Sequence, residues 1–125
     1  MRKPWLVLSD VTFRHEMELT ALSTVYRRLS EADAPAWAAT VVAHMDRWFE
    51  RFYSGTMQHD ALALTAALQL PFVSFDLDRV GVDEMGRLRL DEAGSPAFLS
   101  RSADYEAFMR WLSLWLDPAT TPVAV

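Results

Sequence analysis

Apolar residues along the chain fall into short, distinct patterns. Trp5-Leu6-Val7-Leu8 is an uninterrupted apolar run, the signature of a strand covered on both faces and set inside a sheet. Residues 16 to 30 hold a weaker helical repeat through Leu19, Leu22, Val25, Tyr26 and Leu29. Asp33 then reads as a helix cap, with Pro35 in the first turn, where a missing N–H is tolerated. The helix that follows is predicted to reach about Tyr53. Trp37, Val41, Met45, Trp48 and Phe52 recur every three or four positions and so stack on one face. Ser54-Gly55 stops it.

Further on, Ala61 to Leu68 is a run of small and apolar residues, which predicts a short buried helix ended by Pro71. Phe72-Val73-Ser74-Phe75 predicts a strand. Val80 and Val82, then Leu88 and Leu90, alternate with polar residues on either side of Asp83-Glu84-Met85-Gly86, a hairpin signal. Phe98-Leu99 predicts one more strand. Ser102 or Asp104 caps a last helix carrying Tyr105, Phe108, Met109, Leu112 and Leu116. Residues 118–125 read as a frayed tail, which leaves 1–117 as one domain. The expected class is α/β with a partial sheet: one buried N-terminal strand and a hairpin, packed with about four helices.

Composition narrows the function classes. The 125 residues carry 12 Lys and Arg against 17 Asp and Glu, a net charge of -5. Phosphate binding calls for clustered cations, and Arg2-Lys3 and Arg27-Arg28 are too short to form a patch, so no nucleic-acid partner is expected. There is no cysteine, hence no disulfide framework and no thiolate metal site, a usage that fits a reducing cytoplasm. No apolar run approaches the roughly 20 residues that span a bilayer. The opening Met1-Arg2-Lys3 resembles a signal peptide, but its apolar segment ends at Ser9-Asp10, and that reading is rejected.

Candidate chemistry centres on the histidines. His15 lies among Arg14, Glu16 and Glu18, and His44 lies on the polar side of the long helix; both read as solvated surface residues. His59 precedes Asp60 at the mouth of the short helix. Asp60 serves there either as a plain helix cap or as something more. A carboxylate at a helix N-terminus is held rigidly and kept ionised, which suits a hard oxygen ligand for a divalent cation. A neighbouring imidazole can donate a proton near neutral pH. The pairs Asp83-Glu84 and Asp91-Glu92 read as solvated loop charge, and the aromatic stripe reads as core. Glycine-rich phosphate loops, Gly-x-Ser-x-Gly elbows and His-x-x-x-His spacings are missing from the sequence.

The order of these features resembles the C-terminal portion of the inosine-uridine-preferring nucleoside hydrolase family. Asp10-Val11-Thr12 after the apolar run is similar to that family's Leu-Asp-x-Thr segment. The long helix ends in the aromatics Trp48-Phe49 and Phe52-Tyr53. Gln58-His59-Asp60-Ala61-Leu62-Ala63-Leu64 resembles the His-Asp-Pro-x-Ala-x-Ala helix start, and Asp104-Tyr105-Glu106-Ala107-Phe108 the closing Asp-Phe-x-x-Phe. The resemblance implies hydrolysis of the N-glycosidic bond of ribonucleosides to ribose and free base. It implies that His59 protonates the departing base, and that Asp60 is both a ligand of an active-site Ca²⁺ and a neighbour of the ribose hydroxyls. Tyr53, with Trp48, falls where the family has aromatics near the base.

The sequence also departs from that family. Ala61 stands in place of the usual proline, and Leu88-Arg89-Leu90-Asp91-Glu92 does not match the family's Thr-x-Gly-x-Thr stretch. The Asp-x-Asp-x-x-x-Asp-Asp cluster that supplies most metal ligands is missing from the chain, as are the central Asn and Glu. Ca²⁺ takes about six to eight oxygens, so the ion is expected in the complete enzyme and not in this chain alone. The expected partners are the N-terminal half of the same enzyme, a nucleoside substrate and further copies of the protein. Two alternatives stand beside this reading: a non-catalytic, hydrolase-derived assembly domain, and an unrelated small α/β protein with a fortuitous His-Asp pair.

Overall fold

The computed structural model describes residues 2–119. In chain order its elements are β1 (Trp5–Leu6), α1 (Ser9–Thr12), a 3₁₀ turn (His15–Met17), β2 (Glu18–Thr20), α2 (Thr24–Leu29), α3 (Ala36–Arg51), β3 (Gly55–Met57), α4 (His59–Ala67), β4 (Val73–Val82), β5 (Leu88–Leu90), β6 (Ser95–Ala103) and α5 (Tyr105–Leu116). The mixed α/β class with small sheets is as expected. Four strands form one sheet in the order β1-β6-β4-β5, and β2 pairs with β3 in a second. The chain divides into two compact units, each made of two separate stretches. One comprises Met1–Phe13 and Asp60–Asp104, the other Arg14–His59 and Tyr105–Val125.

The first unit holds the four-stranded sheet. β1 runs parallel to β6, with Trp5 opposite Phe98 and Leu6 opposite Leu99, while β4 is antiparallel to both β6 and β5. β1 is therefore an edge strand of two residues and not an interior one, and Trp5 is 61% exposed. Its ring stacks on Phe98 of β6 at 4.5 Å and meets Phe75 of β4 edge-on at 4.8 Å, so aromatic rings of two other strands supply the apolar contact that the sequence assigned to a fully covered strand. Past β1, the Leu8 N–H donates to the Ser100 hydroxyl at 2.8 Å, which pairs one of the few buried polar side chains.

The expected strand at Phe72–Phe75 and the first hairpin strand are one continuous strand, β4. Phe75 and Leu77 occupy alternate positions on one face, whereas Val80 and Val82 occupy the other. The apolar side thus switches faces midway. The hairpin itself is as expected, with Val80 opposite Leu90 and Val82 opposite Leu88. Its turn uses Gly86 at φ 79°, a conformation glycine adopts without strain, and the Asp83 carboxylate accepts the N–H groups of Met85 and Arg87, both at 2.9 Å. Gly94 is required for another reason: a Cβ there would lie 2.2 Å from the Val80 carbonyl oxygen.

The second unit is helical around a two-stranded sheet. The region expected as one weak helix, 16–30, instead forms the 3₁₀ turn, β2 and α2. β2 pairs antiparallel with β3, with Glu18 opposite Met57 and Thr20 opposite Gly55. α3 begins at Ala36 with Pro35 as its N-cap, so Asp33 is not the cap, and it ends at Arg51 with Phe52 as its C-cap. Along α3 only Ala38 is fully buried, while Trp37 and Trp48 are 37% and 38% exposed. The apolar stripe read as core is therefore only half covered. Met17, Leu19, Leu29, Ala38, Phe108 and Leu112 form this unit's buried apolar set. Asp104 immediately precedes α5. In the expected tail, Ala119 donates its N–H to the Asp117 carboxylate at 2.9 Å, and residues 120–125 lie outside the described residues. Among the described residues, no helix is long and apolar enough to cross a membrane.

Candidate functional site

His59 and Asp60 are the first two residues of α4. Asp60 is therefore a first-turn residue of the helix and not its cap, with its carboxylate where the free N–H groups of the turn favour negative charge. Both side chains are exposed. The helix behind them is secured by Leu62 and Thr65, each 0% exposed, and the Thr65 hydroxyl donates to the Leu62 carbonyl at 2.6 Å. The expectation of a helix buried throughout does not hold, since Leu64 and Leu68 are 55% and 58% exposed. One face packs and the other does not.

His59 belongs to the second unit, whose strand β3 leads into it through Gln58. The Gln58 main-chain N–H donates to the Met17 carbonyl at 3.1 Å, and its side-chain Nε2 donates to the Thr56 carbonyl at 3.0 Å. Neither bond is legible in the sequence, because the β2–β3 pairing that creates the first has no periodic signature over three residues.

Tyr53 lies five residues before Gln58 in the same unit. It is 70% exposed, with its ring 6.0 Å from that of Trp48. Trp48 also contacts Phe52, at 5.0 Å, and its indole N–H donates to the Gly55 carbonyl at 2.9 Å. The aromatics at the end of α3 thus form a cluster tied to β3 by one hydrogen bond.

The fold displaces the acidity of Tyr26, Glu16 and Asp78. Tyr26 is raised, chiefly by donating its hydroxyl hydrogen bond to Asp46. Glu16 is lowered by the hydrogen bonds of Arg14, whose guanidinium also sits 5.4 Å over the Tyr105 ring. Asp78 is lowered first by the Arg79 N–H and then by Arg101. His15 and His44 are exposed, and the His15 Nδ1 lies 3.8 Å from the Glu18 carboxylate.

Among the described residues no group of three or more His, Cys, Asp or Glu could hold a metal ion, and Asp60 supplies one carboxylate where Ca²⁺ takes about six to eight oxygens. Each unit also carries an apolar hollow. In the first unit, a cavity of about 550 Å³ is lined by Trp5, Ala63, Ala66, Gln69 and Phe75. In the second, a groove of about 740 Å³ runs between α2 and α5 over Val25, Met109 and Leu114. No known family's sequence pattern matches the chain, and no curated protein matches it either.

Proposed function

We propose that this chain is the C-terminal portion of a cytoplasmic nucleoside hydrolase, the part that supplies the proton donor and one carboxylate of the active site. One observation carries the reading: His59 and Asp60 stand side by side, exposed, on the first turn of a helix anchored by two buried residues. Hydrolysis of a ribonucleoside breaks a C–N bond through an oxocarbenium-like state, and the base leaves poorly as an anion. In the proposed reaction the His59 imidazolium gives its proton to a ring nitrogen of the base as the bond breaks. The base departs neutral, and water adds its oxygen to the anomeric carbon, releasing one proton to the solvent, from which the His59 imidazole is protonated again. The Asp60 carboxylate, held in the positive end of α4, accepts hydrogen bonds from the ribose hydroxyls. Exposure of both groups suits a role at a substrate surface. A calcium ion would need further ligands, and in this reading they come from the preceding portion of the enzyme.

A second reading, a non-catalytic assembly domain, is favoured by apolar side chains left open in each unit, Trp5 and Leu90 in the first and Phe52, Tyr53 and Trp115 in the second, each more than half exposed. One experiment separates the two. The reading frame upstream of the Met1 codon is determined, the whole encoded polypeptide is purified, and release of base from inosine and uridine is measured for it and for His59→Ala. The hydrolase reading expects an upstream Asp-x-Asp-x-x-x-Asp-Asp cluster and a fall in kcat of roughly 10²- to 10⁴-fold in the variant, with KM little changed. Normal turnover of every nucleoside by the variant removes His59 from the acid role. A frame that opens at Met1, with no base released, transfers the chain to the assembly reading.

A further inference from the structure

We infer that the open edge of β4 is a dimer interface, at which residues 73–77 pair antiparallel with the same residues of a second copy of this chain. β5 covers β4 only at Val80–Val82, and the Asp91 N–H donating to the Arg79 carbonyl closes that contact. From Val73 to Asp78 the strand has β6 on one side and, among the described residues, no strand on the other. Phe98 of β6 gives its N–H to the Pro4 carbonyl and not to Leu77 opposite it, so Leu77 turns its own N–H and carbonyl away from β6. Arg79, whose carbonyl meets Asp91, turns the same way. The bulge opposite Ser74 and Phe75 puts its extra residue, Arg101, on β6. Alternation along β4 is therefore unbroken, and Phe75 and Val73 also point to the open side. A row of such groups is a template for another strand.

The sequence of the edge suits a second copy of itself. Identical strands paired antiparallel are related by a twofold axis, which brings each patch against its twin. With the axis at Phe75, Phe75 faces Phe75, Val73 faces Leu77 and Ser74 faces Asp76. The three apolar side chains share one face of β4. On that face Val73 and Phe75 line the apolar hollow of the first unit, and Leu77 is half exposed. Apolar pairs then meet across the axis, and Leu77 of each copy covers the other's hollow at the Val73 rim. On the opposite face each Asp76 carboxylate meets a hydroxyl. Other registers are worse. An axis at Asp76 sets two Asp76 carboxylates against each other, and one at Leu77 sets Asp76 against Asp78; like charges directly opposite are destabilising. An axis at Ser74 sets Leu77 against Pro71, which has no N–H to give. Charge, which blunts many open edges, is engaged behind this one: Arg101 bridges Asp76 at 3.4 Å and Asp78 at 2.6 Å.

The test has two readouts on the whole encoded polypeptide. Sedimentation equilibrium at micromolar to millimolar concentration should show a dimer. Leu77→Pro removes an N–H that points to the open side, a change an edge strand tolerates. It deletes a rung of the shared ladder and should weaken the dimer by about tenfold or more, with the circular dichroism of the parent kept. The register is read by cross-linking. The chain has no cysteine, so Ser74→Cys and Asp76→Cys each introduce a single thiol. Facing residues of a pair without hydrogen bonds lie within disulfide reach. Mixed and oxidised, the two variants should cross-link to each other in preference to either with itself, a result that stands whether or not the proline variant folds. A monomer at every concentration overturns the inference. So does a dimer unchanged by Leu77→Pro, which would pair through another surface, and so does cross-linking no faster in the mixture than in either variant alone. Neither readout involves His59 or released base, so a failure here leaves the proposed reaction as it stands.

Discussion

Among the described residues, Gln69 is the one non-glycine residue with positive φ, at 59°. It ends α4: its N–H donates to the Ala66 carbonyl at 3.0 Å, and the Leu70 N–H reaches back to the Thr65 carbonyl at 2.9 Å. These are the paired bonds of a helix stop in which a left-handed residue, usually glycine, follows the last turn. The stop therefore comes before Pro71, to which the sequence attributed it, because glutamine gives no hint of a left-handed backbone. A side chain in that region costs about 1–2 kcal/mol, and glycine returns part of this through a looser unfolded chain. Gln69→Gly should raise stability by a few tenths to about 1 kcal/mol, read as a higher midpoint in chemical denaturation; a lower midpoint would show that the side chain contributes more than its backbone costs. At this scale the His59-Asp60 pair was legible as a dipeptide. What surrounds it was not, since Gln58 is anchored by strands too short to leave a pattern.

At the scale of elements, the legible ones had a strong helical period, a run of small and apolar residues or a defined turn: α3 and α5, α4, and the β4–β5 hairpin. β6 was seen only at Phe98-Leu99, because Ser95, Pro96, Ser100 and Ser102 look like loop residues. Their reasons are local. Ser100 accepts the Leu8 N–H, the Ser102 and Ser74 hydroxyls share a hydrogen bond at 2.7 Å, and Pro96 lies beyond the two residues that β1 covers, where a missing N–H is tolerated. The middle of β4 was hidden by Asp76, Asp78 and Arg79. Across from them Arg101 of β6 bridges Asp76 at 3.4 Å and Asp78 at 2.6 Å. Because the Arg79 N–H and Arg101 hold the Asp78 carboxyl below its ordinary range, its contribution to stability is present above the unfolded value, about 3.9. That contribution is lost as pH falls through the lower folded value. Asp78→Asn should therefore melt below the parent at neutral pH, and the two melting temperatures should converge in strong acid. An equal separation at every pH would detach the effect from the charge.

At the scale of the whole molecule, each of two compact units is drawn from two separate stretches of chain. The units alternate along the polypeptide, so β1 meets its partner strand across more than ninety residues, a closure that costs entropy before it returns any contact. The same interleaving lets one cut divide both units. Between Tyr53 and Ser54 the chain is outside any helix or strand, and a cut there leaves part of each unit on both pieces. The polypeptides 1–53 and 54–125, produced together, should then behave as mutual templates: β1 docks on β6 and β2 on β3, and each piece recovers helical circular dichroism only in the other's presence. Recovery by either piece alone would mean that its share of a unit suffices as a fold. Where complementation occurs, a severed covalent bond becomes a switch, with the function of the chain conditional on two separately made parts finding each other.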